Sequence, residues 1–391
     1  MNVNFAPIPF RVLKCCGLWR PLSWTSWKKM TYSGFSLVSL MIVIITALLV
    51  LIAVCQMSFN DDLFAENVFL MFALINATSK AANVLLFRGR FIALLNMVAS
   101  ERWSKLRSDE ELEIRAKCDK TIRKISVYFT TAVFVAILLR VIAPLVDLFV
   151  KGEIRLPVNA YCPCDIRNPS CYWMLYWQQA IGTGIATLIH AAKDCLICAF
   201  LLQTCSYLEI LKRRIVAIPG IIASERNCGN SGNIQEMEKR LISGCVEDHD
   251  NIFLFSKILN SSLEVMLFGQ IAVTLPNLCL SIYLLSTQNI ASMDFVMTIQ
   301  FFSAVVIELF FFCWYGNQVT LNSFDVEAAI STMDWTSLTV QSQKFLLQMM
   351  VRTARPILFR VGPIMDMNID SFLSIMKTSY SAFSVLQSTK E

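Results

Sequence analysis

The chain has 391 residues, 55% of them hydrophobic and only 16% charged, against about 25% charged in an average soluble protein. So apolar a composition excludes an ordinary water-soluble domain and indicates a polytopic membrane protein. The net charge of +5 is spread over several loops, which excludes a nucleic-acid-binding domain built on one basic face.

The N-terminal arm, 1–34, is basic and tryptophan-bearing. It has no short apolar core followed by a small-residue cleavage site, so no cleavable signal peptide is expected. Seven candidate spans follow. The first, 35–57, carries no charge and exceeds the roughly 20 residues needed to cross a hydrocarbon core. The second, 65–87, carries Lys80. The third, 127–150, carries Arg140, Pro144 and Asp147. A loop at 151–171 then holds Cys162, Cys164 and Cys171. Three is odd, so at most one disulfide forms among them, and the spacing leaves the pair open. The fourth apolar stretch, 172–211, is longer than a bilayer, so its far end is expected to project into water. The fifth, 265–286, contains Pro276, and the sixth, 295–315, carries Glu308. Within the 316–370 segment, 337–353 places Leu338, Phe345, Leu346, Met349 and Met350 toward one side of a helix limited by Pro356. Packing against other cytoplasmic helices is expected of it rather than lying on the bilayer. Phe345, Leu346 and Met349 are its candidate anchor residues. The last span, 371–387, is only about half apolar, and a helix of that polarity must be shielded by protein or face water.

Lys and Arg between the spans set the topology. The N-terminal arm and the 88–125, 212–264 and 316–370 segments hold 26 of them. The opposite side, with Lys390 in the tail, holds four. Positive charge stays cytoplasmic. The fold expected is therefore an all-α polytopic membrane protein with seven transmembrane helices, the N-terminus cytoplasmic and the C-terminus extracellular. Its parts are the arm 1–34, the six helices and loops of 35–315, the cytoplasmic segment 316–370, and the last helix with its tail, 371–391.

Signals for an enzyme are weak. There are two histidines, His190 and His249. Cys195-x-x-Cys198 has no second pair to complete a tetrahedral zinc site, so neither metal nor cofactor is expected. Gly182-Thr-Gly184 lacks the preceding strand of a dinucleotide site and suits close helix packing instead. Lys193 and Asp194 could mark the approach of the fourth helix to the cytoplasmic interface, and Glu308 and Lys377 lie at similar depth, where a salt bridge between the last two helices is one option. Aromatic residues gather in the halves of the spans away from the basic loops: Phe69, Phe72, Phe149, Trp173, Trp177 and Phe302. They fit either an interfacial belt or, with Val141, Pro144, Leu145 and Ile181, an apolar cavity for a small volatile organic molecule.

In the last helix, Ser371, Ser374, Thr378, Ser381, Val385 and Ser388 recur at steps of three and four, which makes one continuous seam. Small hydroxyl residues along a seam suit tight helix packing. They equally suit the wall of a water-filled pathway with Val385 as an apolar constriction, which several copies around an axis would be needed to enclose.

The last third of the chain resembles the insect odorant receptor family. The segments that carry the resemblance are "HDNIFLFSKILNSSLEVMLFGQ" (249–270), "FCWYGNQVTLNSFDVEAAISTMDW" (312–335) and the Arg-Pro, Gly, Phe and Lys-x-Ser-Tyr-Ser series of 350–387. Phe324-Asp325 and Ser388 depart from the family pattern. Ser379-Tyr380 and Gln387-Ser388 favour the odorant branch over the gustatory one. The short 212–264 loop resembles a ligand-tuning subunit rather than the shared co-receptor. The resemblance implies an odorant-gated, nonselective cation channel in the plasma membrane of sensory neuron dendrites, a heterotetramer formed with the co-receptor. It implies a pore lined by the last helix, with Val385 at the gate and Ser381 and Gln387 beside it, and a ligand pocket among the second, third, fourth and sixth helices. It also implies no catalysis and no cofactor. A receptor coupled to a G protein would place the N-terminus outside, against the charge count. A transporter would be expected to show internal repeats, and none is visible.

Overall fold

The computed structural model describes residues 5–21, 24–58, 63–104, 106–227, 234–362 and 365–388. The tail at 389–391, with Lys390, lies outside the described residues, as does the side chain of Ser388. The described elements run α1 Pro7–Cys15, α2 Ser26–Gln56, α3 Phe64–Leu86, α4 Arg88–Val98, α5 Glu101–Ser104, α6 Asp109–Val146 with a π-helical turn Asp147–Lys151, α7 Pro169–Asn227, α8 Ile234–Thr287, α9 Met293–Thr332, α10 Val340–Thr353 and α11 Ile369–Ser388. A two-stranded antiparallel ribbon, Arg360–Val361 with Met365–Asp366, precedes α11.

Among the described residues, six helices are long and apolar enough to cross a membrane: α2, α3, α6 with its π-helical turn, α7, α8 and α9. Helix α11 is 20 residues long and more polar. The long helices start on local signals. Ser108 accepts from the Glu111 N–H, and the Glu111 carboxylate returns to the Arg107 N–H, in a variant of the capping box. Ser292 accepts from Phe295 N–H at α9, and Asn368 Oδ1 accepts from Ser371 N–H at the start of α11.

Helix α7 is the central element. Its 59 residues rise about 90 Å, about three times the roughly 30 Å of a hydrocarbon core. The main core surrounds its second half, at the end of the molecule that carries the basic loops. There α1, α4, α8, α9 and α10 pack around Phe200, Tyr207, Leu211 and Ile215. A buried ion cluster ties this end together. Arg214 meets Glu111 through two bonds of 2.9 Å and Asp248 through one of 2.8 Å, joining α6, α7 and α8. Helix α10 packs on the same core through Leu346 and Met349, whereas Phe345 turns outward. No break falls at 315: α9 continues through Gly316 to Thr332.

At the opposite end the 151–171 loop folds over the helices. Of the three cysteines there, Cys164 and Cys171 form the disulfide and Cys162 is free. Arg155 bonds Asp294 at 2.9 Å, tying the loop to α9.

Two glycines are there because a neighbouring segment approaches too closely for a side chain. A Cβ on Gly182 would lie 2.0 Å from Thr46 Oγ1 of α2. A Cβ on Gly316 would lie 2.6 Å from Met367 Cβ and 2.7 Å from Met367 O. That backbone is itself held by the Met367 N–H bond to Phe359 O, so it cannot swing aside. Gly316→Ala is expected to cost about 1–3 kcal/mol. Gly184→Ala, whose nearest neighbour would be 3.9 Å away, should leave stability unchanged. Thermal unfolding of the two variants in detergent checks the contrast.

Candidate ligand cavity

A partly open cavity of about 270 Å³ lies between α3, α6, α7 and α9. Its wall is mainly apolar, with Phe69, Leu70, Ala73, Val133, Ile137, Met297 and Phe301 among its residues. Phe69 and Phe301 meet edge to face at 4.3 Å. At one end it approaches Arg140, which donates to Pro157 O at 3.3 Å. At the other it reaches His190, Asp194 and Glu308.

Those three residues belong to a buried ionic cluster. Lys80 of α3 sits between Asp194 of α7 at 2.5 Å and Glu308 of α9 at 2.6 Å. His190 Nε2 lies 3.0 Å from Glu308 Oε2 and 3.4 Å from Asp194 Oδ2. Gln270 of α8 donates to Glu308 Oε1. Four helices are thus joined through one ammonium and two carboxylates, and mutual pairing offsets the cost of burying these charges. Lys193, next in sequence to Asp194, points elsewhere. Its Nζ lies 3.8 Å from the Phe91 ring centroid, a cation–π contact inside the protein.

The cluster supplies a partner other than the one the sequence suggested. Glu308 pairs with Lys80, while Lys377 is exposed on α11. Lys193 and Asp194 are both buried within the protein along α7. Pairings between residues so distant in sequence leave no local signal.

Of the aromatic and aliphatic residues singled out from the sequence, Phe69 and Val141 line the cavity. The others do not. Trp173, Trp177 and Ile181 recur every four residues and so share one face of α7, and that face points outward, with Trp177 55% exposed. The inward face carries Tyr172 and Tyr176, and the Tyr176 hydroxyl donates to Val141 O at 2.6 Å. Phe149, in the π-helical turn, is 76% exposed. Pro144 is buried within α6 away from the lining. Leu145 packs with Tyr172 and Leu175. Phe72 is half-buried off the lining, and Phe302 packs toward α8 and α11 with Leu278 and Ile375. The neighbour of Phe302, Phe301, takes the lining position. Composition selects both rings equally, and only the rotation of α9 separates them.

On α11, Ile375 and Ser379 are buried against the bundle, with Phe372 and Met376 beside Ile375. The opposite stripe, Ser374, Thr378, Ser381 and Val385, is exposed, and so is Gln387. Of the seam, Ser371 donates to Asp366 O at 2.7 Å, while the hydroxyls of Ser374, Thr378 and Ser381 lie on the exposed side of the helix.

A second, small space lies between α8, α9 and the start of α11. Gln270, Glu308, Cys313, Met365 and Ser371 line it, so Glu308 borders both it and the main cavity.

Comparison with known proteins places this architecture. A family model described as 7tm Odorant receptor matches residues 62–380. Odorant receptor 2a of Drosophila melanogaster is 24% identical over 399 residues, covering 97% of this chain and 96% of its own. Odorant receptor 46a, isoform A, of the same organism is 22% identical, covering 87% and 86%. Odorant receptor Or1 of Anopheles gambiae is 24% identical, covering 64% of each chain. Among solved structures, the insect olfactory receptor OR5 from Machilis hrabei in complex with eugenol superposes with a TM-score of 0.85 at 12% identity, over 98% of this chain and 97% of that one. The same receptor solved separately gives 0.82 at 13% identity, over 97% and 96%. These relatives are odorant receptors, not enzymes or gustatory receptors. A family match over so much of the sequence, on a fold shared nearly end to end, makes this chain a member of the odorant receptor family.

Proposed function

We propose that this chain is the odorant-sensing subunit of a ligand-gated, nonselective cation channel, assembled with a co-receptor in the plasma membrane of an olfactory neuron. The cavity carries the reading. It is mainly apolar and of a size for a small volatile molecule. The N-terminus is cytoplasmic and α11 is the seventh span. A ligand that binds the open arrangement more tightly than the closed one shifts the population toward open. Glu308, which borders both the cavity and the space at the start of α11, is the residue placed to carry that bias toward the pore helix. Phe345 on the exposed side of α10 contributes to the surface on which subunits meet.

Co-expression with an odorant co-receptor, an odorant panel and current recording tests the proposal. A channel silent to every volatile while present at the surface would overturn it. Within that assay, Phe69→Ala and Phe301→Ala should each shift odorant sensitivity by about tenfold or more, because each removes an aromatic wall of the cavity. Trp177→Ala, on the outward face, should shift it by less than about twofold.

A further inference from the structure

The cavity wall carries a charged donor at the end nearer the 151–171 loop. On α6, Ala132, Val133, Ala136, Ile137, Arg140 and Val141 recur at helical spacing and all line the cavity, so Arg140 belongs to the inward stripe of that helix. A guanidinium is always protonated, with five N–H donors and no acceptor. One of them reaches Pro157 O at the long distance of 3.3 Å, and the others have no acceptor among the described residues. No carboxylate among the described residues lies within ion-pair distance of Arg140. Glu66 and Asp294 border the small outer space that Arg140 shares, but Asp294 is bonded by Arg155 at 2.9 Å.

The other polar groups of the wall have little to donate. Thr183, Thr187 and Ser303 each spend the hydroxyl proton on the carbonyl four residues back, at 2.7 Å. Gln300 uses an amide N–H on Ala132 O at 3.1 Å. At the far end Lys80 is held between Asp194 and Glu308, and His190 Nε2 is taken up by the same three groups. Arg140 is therefore the strong donor left facing an apolar wall without the oxygen it needs. Such a group costs free energy that an incoming acceptor restores.

We infer that the cavity selects neutral carbonyl compounds, ketones and esters with an apolar body, whose oxygen accepts from the Arg140 guanidinium and whose body lies along Phe69 and Phe301. A carbonyl oxygen offers two in-plane lone pairs to the N–H fork and brings no proton that itself needs an acceptor. A carboxylate ligand is disfavoured by sign. Glu66 borders the space beside Arg140, and Asp147 and Asp294 lie 3.5 and 2.9 Å from Arg155, so it would be a fourth anion beside two guanidiniums. The inference rests on the odorant-receptor reading and adds the ligand class to it.

Pairs in which C=O is exchanged for C=CH2 test it, since the two have nearly the same shape: 2-heptanone against 2-methyl-1-heptene, and acetophenone against α-methylstyrene. In the channel co-expressed with co-receptor, the ketone of each pair should activate at concentrations at least about tenfold lower than the alkene, because a site built to bond an oxygen rejects the analogue without it. Arg140→Met keeps the apolar stem and removes the donors, and should collapse that advantage to about twofold or less. Arg140→Lys keeps the charge should the first variant fail to reach the surface. It lacks the planar fork and should reduce the advantage by about threefold. Gln300→Leu removes the other amide donor on the wall and should leave the advantage within about twofold of its starting value. Alkenes that match the ketones in the unmodified channel, or heptanoate that outperforms 2-heptanone, would overturn the ligand class while leaving the odorant-gated channel standing. A channel silent to all of these and to every other volatile would overturn the odorant reading itself. A ketone advantage that survives both Arg140 variants, or is lost in Gln300→Leu instead, would overturn the assignment of Arg140.

Discussion

Lys80→Met should abolish surface channels. The methionine fits the space of the lysine stem but leaves Asp194 and Glu308 facing each other without the ammonium between them. Removing one partner of a buried ion pair costs about 3–5 kcal/mol, a large fraction of the roughly 5–15 kcal/mol that holds a typical domain folded. The cost arises from the orphaned carboxylates, not from the missing contact. Neutralising them should therefore offset it: Lys80→Met combined with Asp194→Asn and Glu308→Gln is expected to return a measurable fraction of protein to the surface. Surface labelling of a tagged chain reads both outcomes. Native surface levels for Lys80→Met alone would show that the cluster does not stabilise the bundle. A triple variant no better than the single one would show that the pairing, and not the charge left behind, is what the fold requires.

Sequence reading and structure agree where the physics is one-dimensional. Span length and the amphiphilic spacing of the last helix are properties of consecutive residues, and α2, α3, α6 to α9 and α11 follow them. The Ser374, Thr378 and Ser381 stripe was legible because α11, unlike the six more apolar spans, has a polar face to set against an apolar one. The cavity was harder. A helix in lipid is apolar all round, so nothing in composition tells the face of α7 that bears Trp173 and Trp177 from the face that bears Tyr176 and Thr183. Which of Phe301 and Phe302 lines the cavity has the same origin. The ion cluster was less legible still, because Lys80, Asp194 and Glu308 lie 114 and 228 residues apart along the chain. The useful signal was that each is a charge inside a span and so requires a partner.

Val385→Ser should give a channel that conducts without odorant. One face of α11 is committed to its own subunit through Ile375 and Ser379. The opposite stripe is exposed in a single chain, with Val385 at 65%. Copies arranged around an axis would bring these stripes together, hydroxyls of Ser374, Thr378 and Ser381 below and Val385 above. A ring of valines closes such a passage by excluding water rather than by filling it. Serine is smaller and carries a hydroxyl, so the same ring would wet in the closed arrangement. Standing current, corrected for surface expression, is expected to rise by about threefold or more, and the fraction evoked by odorant to fall correspondingly. The comparison is made against the unmodified chain expressed with the same co-receptor. Ion replacement adds a second reading, because permeating ions that pass residue 385 should show altered relative permeability once its side chain becomes polar. Unchanged standing current and unchanged reversal potentials, at equal surface levels, would place Val385 away from the conduction path and return the seam to a packing role between subunits.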